Sequence, residues 1–155
     1  MIKFLQLLSF LNLLVFALLM SKVDIKEKRL PNSLMYPAII LAYFILLFKG
    51  LAIKDLSIFT WDLIPILLLV IGFFTVSLIF PTGFGMGDVK GIPFLGISIS
   101  HMGLQTLIFS LLLSFITASI YVLIVKISKG TDFRDFAFGP FLFFPAVFFL
   151  AINTF

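Results

Sequence analysis

The sequence predicts an all-α integral membrane protein with about six transmembrane helices. Of its 155 residues, 62% are hydrophobic and 12% are charged, and the mean hydropathy is +1.27. A soluble domain has roughly 25% charged residues, so a water-soluble fold with one buried core is excluded. A bilayer span needs about 20 mostly apolar residues, and the charges here fall into a few short clusters. We therefore expect residues 1–155 to form a single membrane-embedded domain of short-looped helices.

Six apolar stretches follow one another along the chain. The first is expected to be a retained helix, because no small-residue cleavage site follows it. The uncharged stretch 92–125 is too long for one span, and Ser100-His-Met-Gly103 is expected to divide it. The predicted spans are Phe4–Met20, Leu34–Phe48, Leu63–Phe80, a short helix from Ile92, Leu104–Val125 and Phe138–Ile152. The predicted connections are 21–33, 49–62, 81–91 and 126–136.

The lysines and arginines are distributed unevenly between the two sides of this arrangement. Eight of the 11 lie in the first, third and fifth connections, which are 21–33, 81–91 and 126–136 when the break at 100–103 is counted as the fourth. Basic residues are enriched on the cytoplasmic side of membrane proteins, so these connections are expected in the cytoplasm and both termini outside, N-out/C-out. Nucleic-acid-binding proteins instead gather such residues on a solvated surface. The net charge of +4 therefore predicts a lipid bilayer as surroundings and no nucleic-acid partner.

Several kinds of chemistry are excluded by composition. The chain has no cysteine, which removes disulfides, cysteine-ligated zinc and a thiol nucleophile. Its single histidine, His101, cannot form a histidine metal cluster. No metal and no cofactor are therefore expected.

Two aspartates, Asp24 and Asp88, are expected near the same membrane face. Asp24 follows the first apolar stretch by four residues, and Asp88 lies where the glycine-rich segment meets the fourth helix. Taken separately, each has an ordinary explanation. Asp24 fits a solvated loop charge, and Asp88 fits a helix N-cap. In the same way, Gly87 and Gly91 fit a helix-packing face, and Lys90 fits a topology charge.

Three motifs, considered together, favour a catalytic interpretation. Asp24 precedes Pro31-Asn32 by six intervening residues, and Gly85-Met-Gly-Asp-Val-Lys90 is a Gly-x-Gly-Asp motif at a helix entrance. A third segment, Phe138-Gly-Pro-Phe-Leu142, opens the last apolar stretch. In this order and spacing the motifs resemble the core of the type IV prepilin peptidases. These are Gly-x-Gly-Asp membrane aspartic proteases, and they include the archaeal preflagellin peptidases.

The resemblance implies an activity and a location. It makes Asp24 and Asp88 the two catalytic aspartates of an endopeptidase. The substrates would be prepilin-like proteins, either type IV pilins or pseudopilins, which lose a short basic leader at the cytoplasmic face of the cell (inner) membrane. Larger bacterial members carry a segment with paired cysteines and are linked to N-methylation of the mature pilin. Because this chain has no cysteine, N-methyltransferase activity is not expected.

A pair of carboxyls can supply the chemistry without a metal. When two carboxyls are held close together, ionising both has a high free-energy cost because the two negative charges repel, so the pair shares one proton. The ionised partner can take a proton from water while the protonated partner donates a hydrogen bond to the scissile carbonyl. The residues expected to bind substrate or shape the site are Gly85, Gly87, Lys90, Pro31, Asn32, Gly139 and Pro140.

Two other functions fit the same residues. Acidic residues inside membranes often mark ion pathways, so Asp24 and Asp88 would also suit a small transport or ion-relay subunit. Against this alternative, no acidic residue continues a route from Asp88 towards the outer side. The other alternative is an inactive scaffold of a pilus or secretion machine, which the presence of both aspartates disfavours.

Overall fold

The computed structural model describes residues 2–55, 57–79, 86–129 and 137–154. Within these residues all regular structure is helical, which confirms the predicted all-α fold with six helices. The α-helices are α1 (Ile2–Glu27), α2 (Asn32–Ile53), α3 (Ser57–Ile79), α4 (Met86–Ile99), α5 (Leu104–Lys129) and α6 (Gly139–Thr154). A short 3-10 turn, Ser100–Met102, joins α4 to α5.

The outer helices have the length and surface of membrane spans. Three segments are long and apolar enough to cross a membrane: Lys3–Glu27, Asn32–Ile53 and Leu104–Ser128. Shorter apolar stretches lie in α3 and α6. Large apolar side chains on all of these helices point outwards, including Leu18, Leu68 and Phe144. Exposure of this much apolar surface to water would be unfavourable. The protein is therefore an integral membrane protein.

The short helix α4 lies at the centre of the bundle. Its 14 residues correspond to about 21 Å at 1.5 Å per residue. Phe94 is fully buried, and its ring meets Phe16 of α1 and Phe143 of α6 edge-on, with ring centroids 6.3 and 5.9 Å apart. On another side, a Cβ built on Gly96 would lie 2.7 Å from Cγ1 of Ile66 in α3. Neighbouring helices therefore hold α4 closely on several sides.

Helix α1 ends later than the sequence predicts. A loop was expected from Ser21 onwards, but α1 continues to Glu27. The additional turns contain no glycine or proline, and charged residues such as lysine and glutamate are good helix formers. The helix ends where Lys28 adopts a left-handed conformation (φ 55°) and donates its backbone N–H to the Asp24 carbonyl at 2.8 Å. Asp24 therefore lies in the last turn of a helix.

The connection between α2 and α3 is shorter than predicted. Its expected range was 49–62, but α2 continues to Ile53 and α3 begins at Ser57. Asp55 accepts hydrogen bonds from the Ser57 hydroxyl (2.6 Å) and backbone N–H (2.9 Å), which fixes the start of α3. Both hydrogen bonds hold the pKa of this exposed carboxyl below its usual value.

The other connections also differ in part from the prediction. Helix α4 begins at Met86, inside the segment 81–91 that was expected to be non-helical, and α5 continues past Val125 to Lys129. The predicted break between the fourth and fifth helices is confirmed. It ends at Gly103, whose φ of 87° is easily adopted only by glycine.

Candidate active site

Asp24 is buried and bonded to the start of the last helix. Its side chain is 5% exposed, and its Oδ2 accepts a hydrogen bond from the backbone N–H of Gly139 at 2.7 Å. Gly139 is the first residue of α6, where backbone N–H groups have no partner inside the helix. The next residue, Pro140, has no N–H to donate. Asp24 is thus an N-cap acceptor supplied by another helix, and the alternative explanation of Asp24 as a solvated loop charge is wrong.

The close contact between the Asp24 carboxylate and the start of α6 depends on the absence of a side chain at Gly139. A Cβ built there would lie 2.9 Å from Oδ2 of Asp24 and 3.1 Å from Cδ2 of Leu30. Both distances are shorter than an ordinary van der Waals contact, so a larger residue would have to displace one of its neighbours. The glycine of the Phe-Gly-Pro-Phe segment therefore allows the carboxylate and the helix start to meet.

Asp88 lies in the first turn of α4, at the helix entrance that the sequence predicts but inside a segment that was expected to be non-helical. It is the third residue of that helix and is half-buried. A negative charge in a first turn is favoured by the partial positive charge at a helix N-terminus. The preceding residue, Gly87, contacts the connection between α1 and α2, since a Cβ built on it would lie 3.4 Å from Leu30 Cβ and 3.5 Å from Leu30 N.

Lys90 joins α4 to the start of α2. Its Nζ donates a hydrogen bond to Oδ1 of Asn32 at 3.0 Å. Pro31 precedes this residue in an extended conformation, and its carbonyl accepts the N–H groups of Leu34 and Met35 at 3.2 and 3.1 Å. The Pro-Asn turn therefore begins α2 and also contacts the helix that carries Asp88.

These contacts gather most of the predicted site residues at one end of the bundle, which we call the site end. It comprises the end of α1, the connection 28–31 and the starts of α2, α4 and α6. Asp24 bonds to Gly139, Leu30 contacts both Gly139 and Gly87, and Asp88 follows Gly87. The predicted site residue Gly85 lies outside the described residues.

Leu30 is a site residue that the sequence analysis missed. It is 7% exposed, whereas Lys28 and Arg29 immediately before it are exposed. Its position in the sequence could have indicated this burial, because Leu30 is the single apolar residue between a run of charged residues and Pro31. Around it, Arg29 forms an exposed ion pair with Glu27 at 2.7 Å, an arrangement that contributes little to stability.

The described residues contain no group of three or more histidine, aspartate or glutamate side chains placed to hold a metal ion. The chemistry available at the site end is that of carboxyl groups, one buried and one half-buried. Such groups can take up, hold and donate protons.

Comparison with known protein families identifies the class of protein. A sequence model described as the type IV leader peptidase family matches residues 11–123, which is more than half of the chain. The chain therefore belongs to the type IV leader peptidase family, and family membership indicates a protease. The match includes Asp24 and Asp88 and ends within α5, before the Phe-Gly-Pro-Phe segment. Comparisons with curated proteins and with solved structures gave no match.

Proposed function

We propose that this protein is a membrane aspartic endopeptidase in which Asp24 and Asp88 form the catalytic pair. Its substrates are prepilin-like proteins that carry a short basic leader. The main support is the continuous set of contacts from Asp24 through Gly139 and Leu30 to Gly87, the neighbour of Asp88. Membership of the type IV leader peptidase family supports the same reaction.

The proposed mechanism uses one proton shared between the two carboxyls. The ionised carboxyl takes a proton from a water molecule, whose oxygen attacks the scissile carbonyl carbon. The protonated carboxyl donates a hydrogen bond to the carbonyl oxygen and stabilises the negative charge that develops there. When the tetrahedral intermediate collapses, the C–N bond breaks, and the leaving amine takes up the proton that the first carboxyl removed from water, which returns that carboxyl to its ionised form. The shared proton is a property of the pair and of neither residue alone.

The proposed location is the cytoplasmic face of the cell membrane. The site end carries exposed basic residues, and basic residues favour the cytoplasmic side. They are Lys22, Lys26, Lys28 and Arg29. A substrate whose hydrophobic helix lies in the bilayer would bring its leader to the membrane surface. Asp24 in the last turn of α1 and Asp88 in the first turn of α4 suit cleavage at that level.

The test is a cleavage assay with the full chain. Protein purified in detergent or in liposomes is incubated with a substrate that has a basic leader, a glycine and a hydrophobic helix. We expect release of the leader, with the product N-terminus defined by mass spectrometry. A folded protein that binds this substrate without cleaving it would support the inactive-scaffold alternative and contradict the proposal.

A further inference from the structure

The connection between α1 and α2 directs one apolar side chain into the site end. The left-handed conformation of Lys28 turns the chain out of α1, and Pro31 begins α2. Between them, Arg29 is exposed while Leu30 is 7% exposed. In a connection with this many charges, such burial means that the Leu30 side chain fills a space formed by other elements.

Two helix starts form that space. On one side, Leu30 Cβ and backbone N lie 3.4 and 3.5 Å from the position that a Cβ on Gly87 would occupy. On the other side, Leu30 Cδ2 lies 3.1 Å from the position of a Cβ on Gly139. Both partners are glycines, so the leucine touches helix backbone directly. Leu30 therefore separates the start of α4 from the start of α6 by the width of one side chain.

Each of these helix starts is connected directly to one aspartate. Gly87 precedes Asp88 in the chain, and Gly139 donates its N–H to Asp24. A change in the spacing between the two backbones therefore changes the spacing between the two carboxyls. The hydrogen bond from Lys90 to Asn32 also joins α4 to the start of α2, the helix that follows Leu30 and Pro31 in the chain.

We infer that Leu30 is the positioning residue that sets the separation of Asp24 and Asp88, an inference that rests on the proposed function. A pair of carboxyls that shares a proton and a water molecule works only at a narrow range of separations. A displacement of about 1 Å in an active site can reduce the rate about 100-fold. Leu30 touches neither substrate nor water in this role, and it acts through the backbones of Gly87 and Gly139.

The central test compares truncation of Leu30 with truncation of an equally buried leucine elsewhere. Leu30→Ala keeps the Cβ that meets Gly87 but removes the Cδ2 that meets Gly139. Leu13→Ala is the matched control, because Leu13 is fully buried in α1 about 16 Å from Asp24 at 1.5 Å per residue. Leu30→Met restores the reach of the side chain with a flexible thioether.

Initial rates of leader cleavage are measured over a range of substrate concentrations, with the folded fraction of each variant determined by thermal unfolding in detergent. Per folded molecule, we expect Leu30→Ala to lower kcat about 100-fold while KM changes less than about twofold. We expect Leu30→Met to recover most of the wild-type kcat and Leu13→Ala to retain it. If Leu30→Ala does not fold, Leu30→Val is measured instead, and an intermediate loss of kcat is expected.

The inference is overturned if Leu30→Ala, or Leu30→Val measured in its place, keeps the wild-type kcat, or if Leu13→Ala loses as much kcat per folded molecule. An increase in KM with unchanged kcat would also overturn it, because that result assigns Leu30 to substrate binding. Cleavage by the wild type together with any of these results refutes the role of Leu30 and leaves the proposed function intact. A wild type that does not cleave overturns both.

Discussion

The Oδ2 atom of Asp24 accepts a hydrogen bond from the backbone N–H of Gly139, a residue 115 positions further along the chain. This contact joins the end of the first helix to the beginning of the last one. The family match ends at residue 123, so the last helix lies outside it. The last helix nevertheless supplies the group that holds the buried aspartate, and substitutions at its start are expected to affect activity.

Replacement of Gly139 by alanine should inactivate the protein without unfolding it. The added Cβ would lie 2.9 Å from Asp24 Oδ2, and the carboxylate can avoid it only by leaving its hydrogen bond. We expect the cleavage rate to fall about 100-fold. Gly87→Ala is the informative comparison, because its Cβ would be 3.4 Å from Leu30 and fits with little movement. Gly72→Ala is the control for a glycine substitution that creates no new contact, because a Cβ built on Gly72 has no neighbouring atom within 4 Å. Wild-type cleavage by Gly139→Ala would contradict this role of the Asp24 hydrogen bond.

The Lys90–Asn32 hydrogen bond should contribute modestly to stability. It is exposed, and exposed interactions between polar side chains are weak. Lys90→Met and Asn32→Ala should each lower the free energy of unfolding by about 1 kcal/mol or less. The double variant should have about the same free energy of unfolding as the less stable of the two single variants, since each single substitution already removes the same hydrogen bond. Unfolding titrations in denaturing detergent measure the three values. Additive losses would show that the two side chains do not stabilise each other.

The orientation in the membrane can be tested with single cysteines, because the natural chain has none. Lys26→Cys places a thiol at the site end, and Gln105→Cys places one at the start of α5; both positions are exposed. The distribution of basic residues predicts that an impermeant thiol reagent added to intact cells labels Gln105→Cys and not Lys26→Cys. Labelling of Lys26→Cys from outside would reverse the topology and move the proposed cleavage to the other face.

Cleavage should require no metal and should not be followed by methylation. A water molecule activated by two carboxyls needs no Lewis acid, so the cleavage rate in a strong chelator should equal the rate without it. With S-adenosylmethionine present, mass spectrometry should find an unmodified N-terminus on the mature product. Inhibition by the chelator would count against the carboxyl mechanism, and a mass increase of one methyl group would show that methylation does not need cysteines.

Much of the fold was predictable because the bilayer imposes a simple pattern on the sequence. The apolar stretches and the break before Gly103 predicted six helices in the right order. The end of α1 was not predicted, because a run of charges resembles a loop even though it contains no residue that stops a helix. Charge indicates contact with water and does not by itself indicate an irregular backbone.

The site was predictable where motifs are local and unpredictable where contacts are distant. The sequence indicated Asp24, Asp88 and the Phe-Gly-Pro-Phe segment, but no local pattern told which acid Gly139 would meet. Leu30 could not be identified as a spacer, since its importance depends on Gly87 and Gly139, which come from two other parts of the chain. Only the folded arrangement brings those three residues together.

The central claim is that Asp24 and Asp88 act as a pair, and isosteric substitution tests it most directly. Asp24→Asn and Asp88→Asn keep the size of each side chain but remove its ability to exchange a proton. Asp55→Asn is the matched control, because Asp55 is an exposed acid between α2 and α3 that caps a helix. Purified, folded samples of each variant are assayed for leader cleavage of a prepilin-like substrate. We predict no detectable cleavage by Asp24→Asn or by Asp88→Asn and normal cleavage by Asp55→Asn. Wild-type cleavage by either of the first two variants would contradict the catalytic pair.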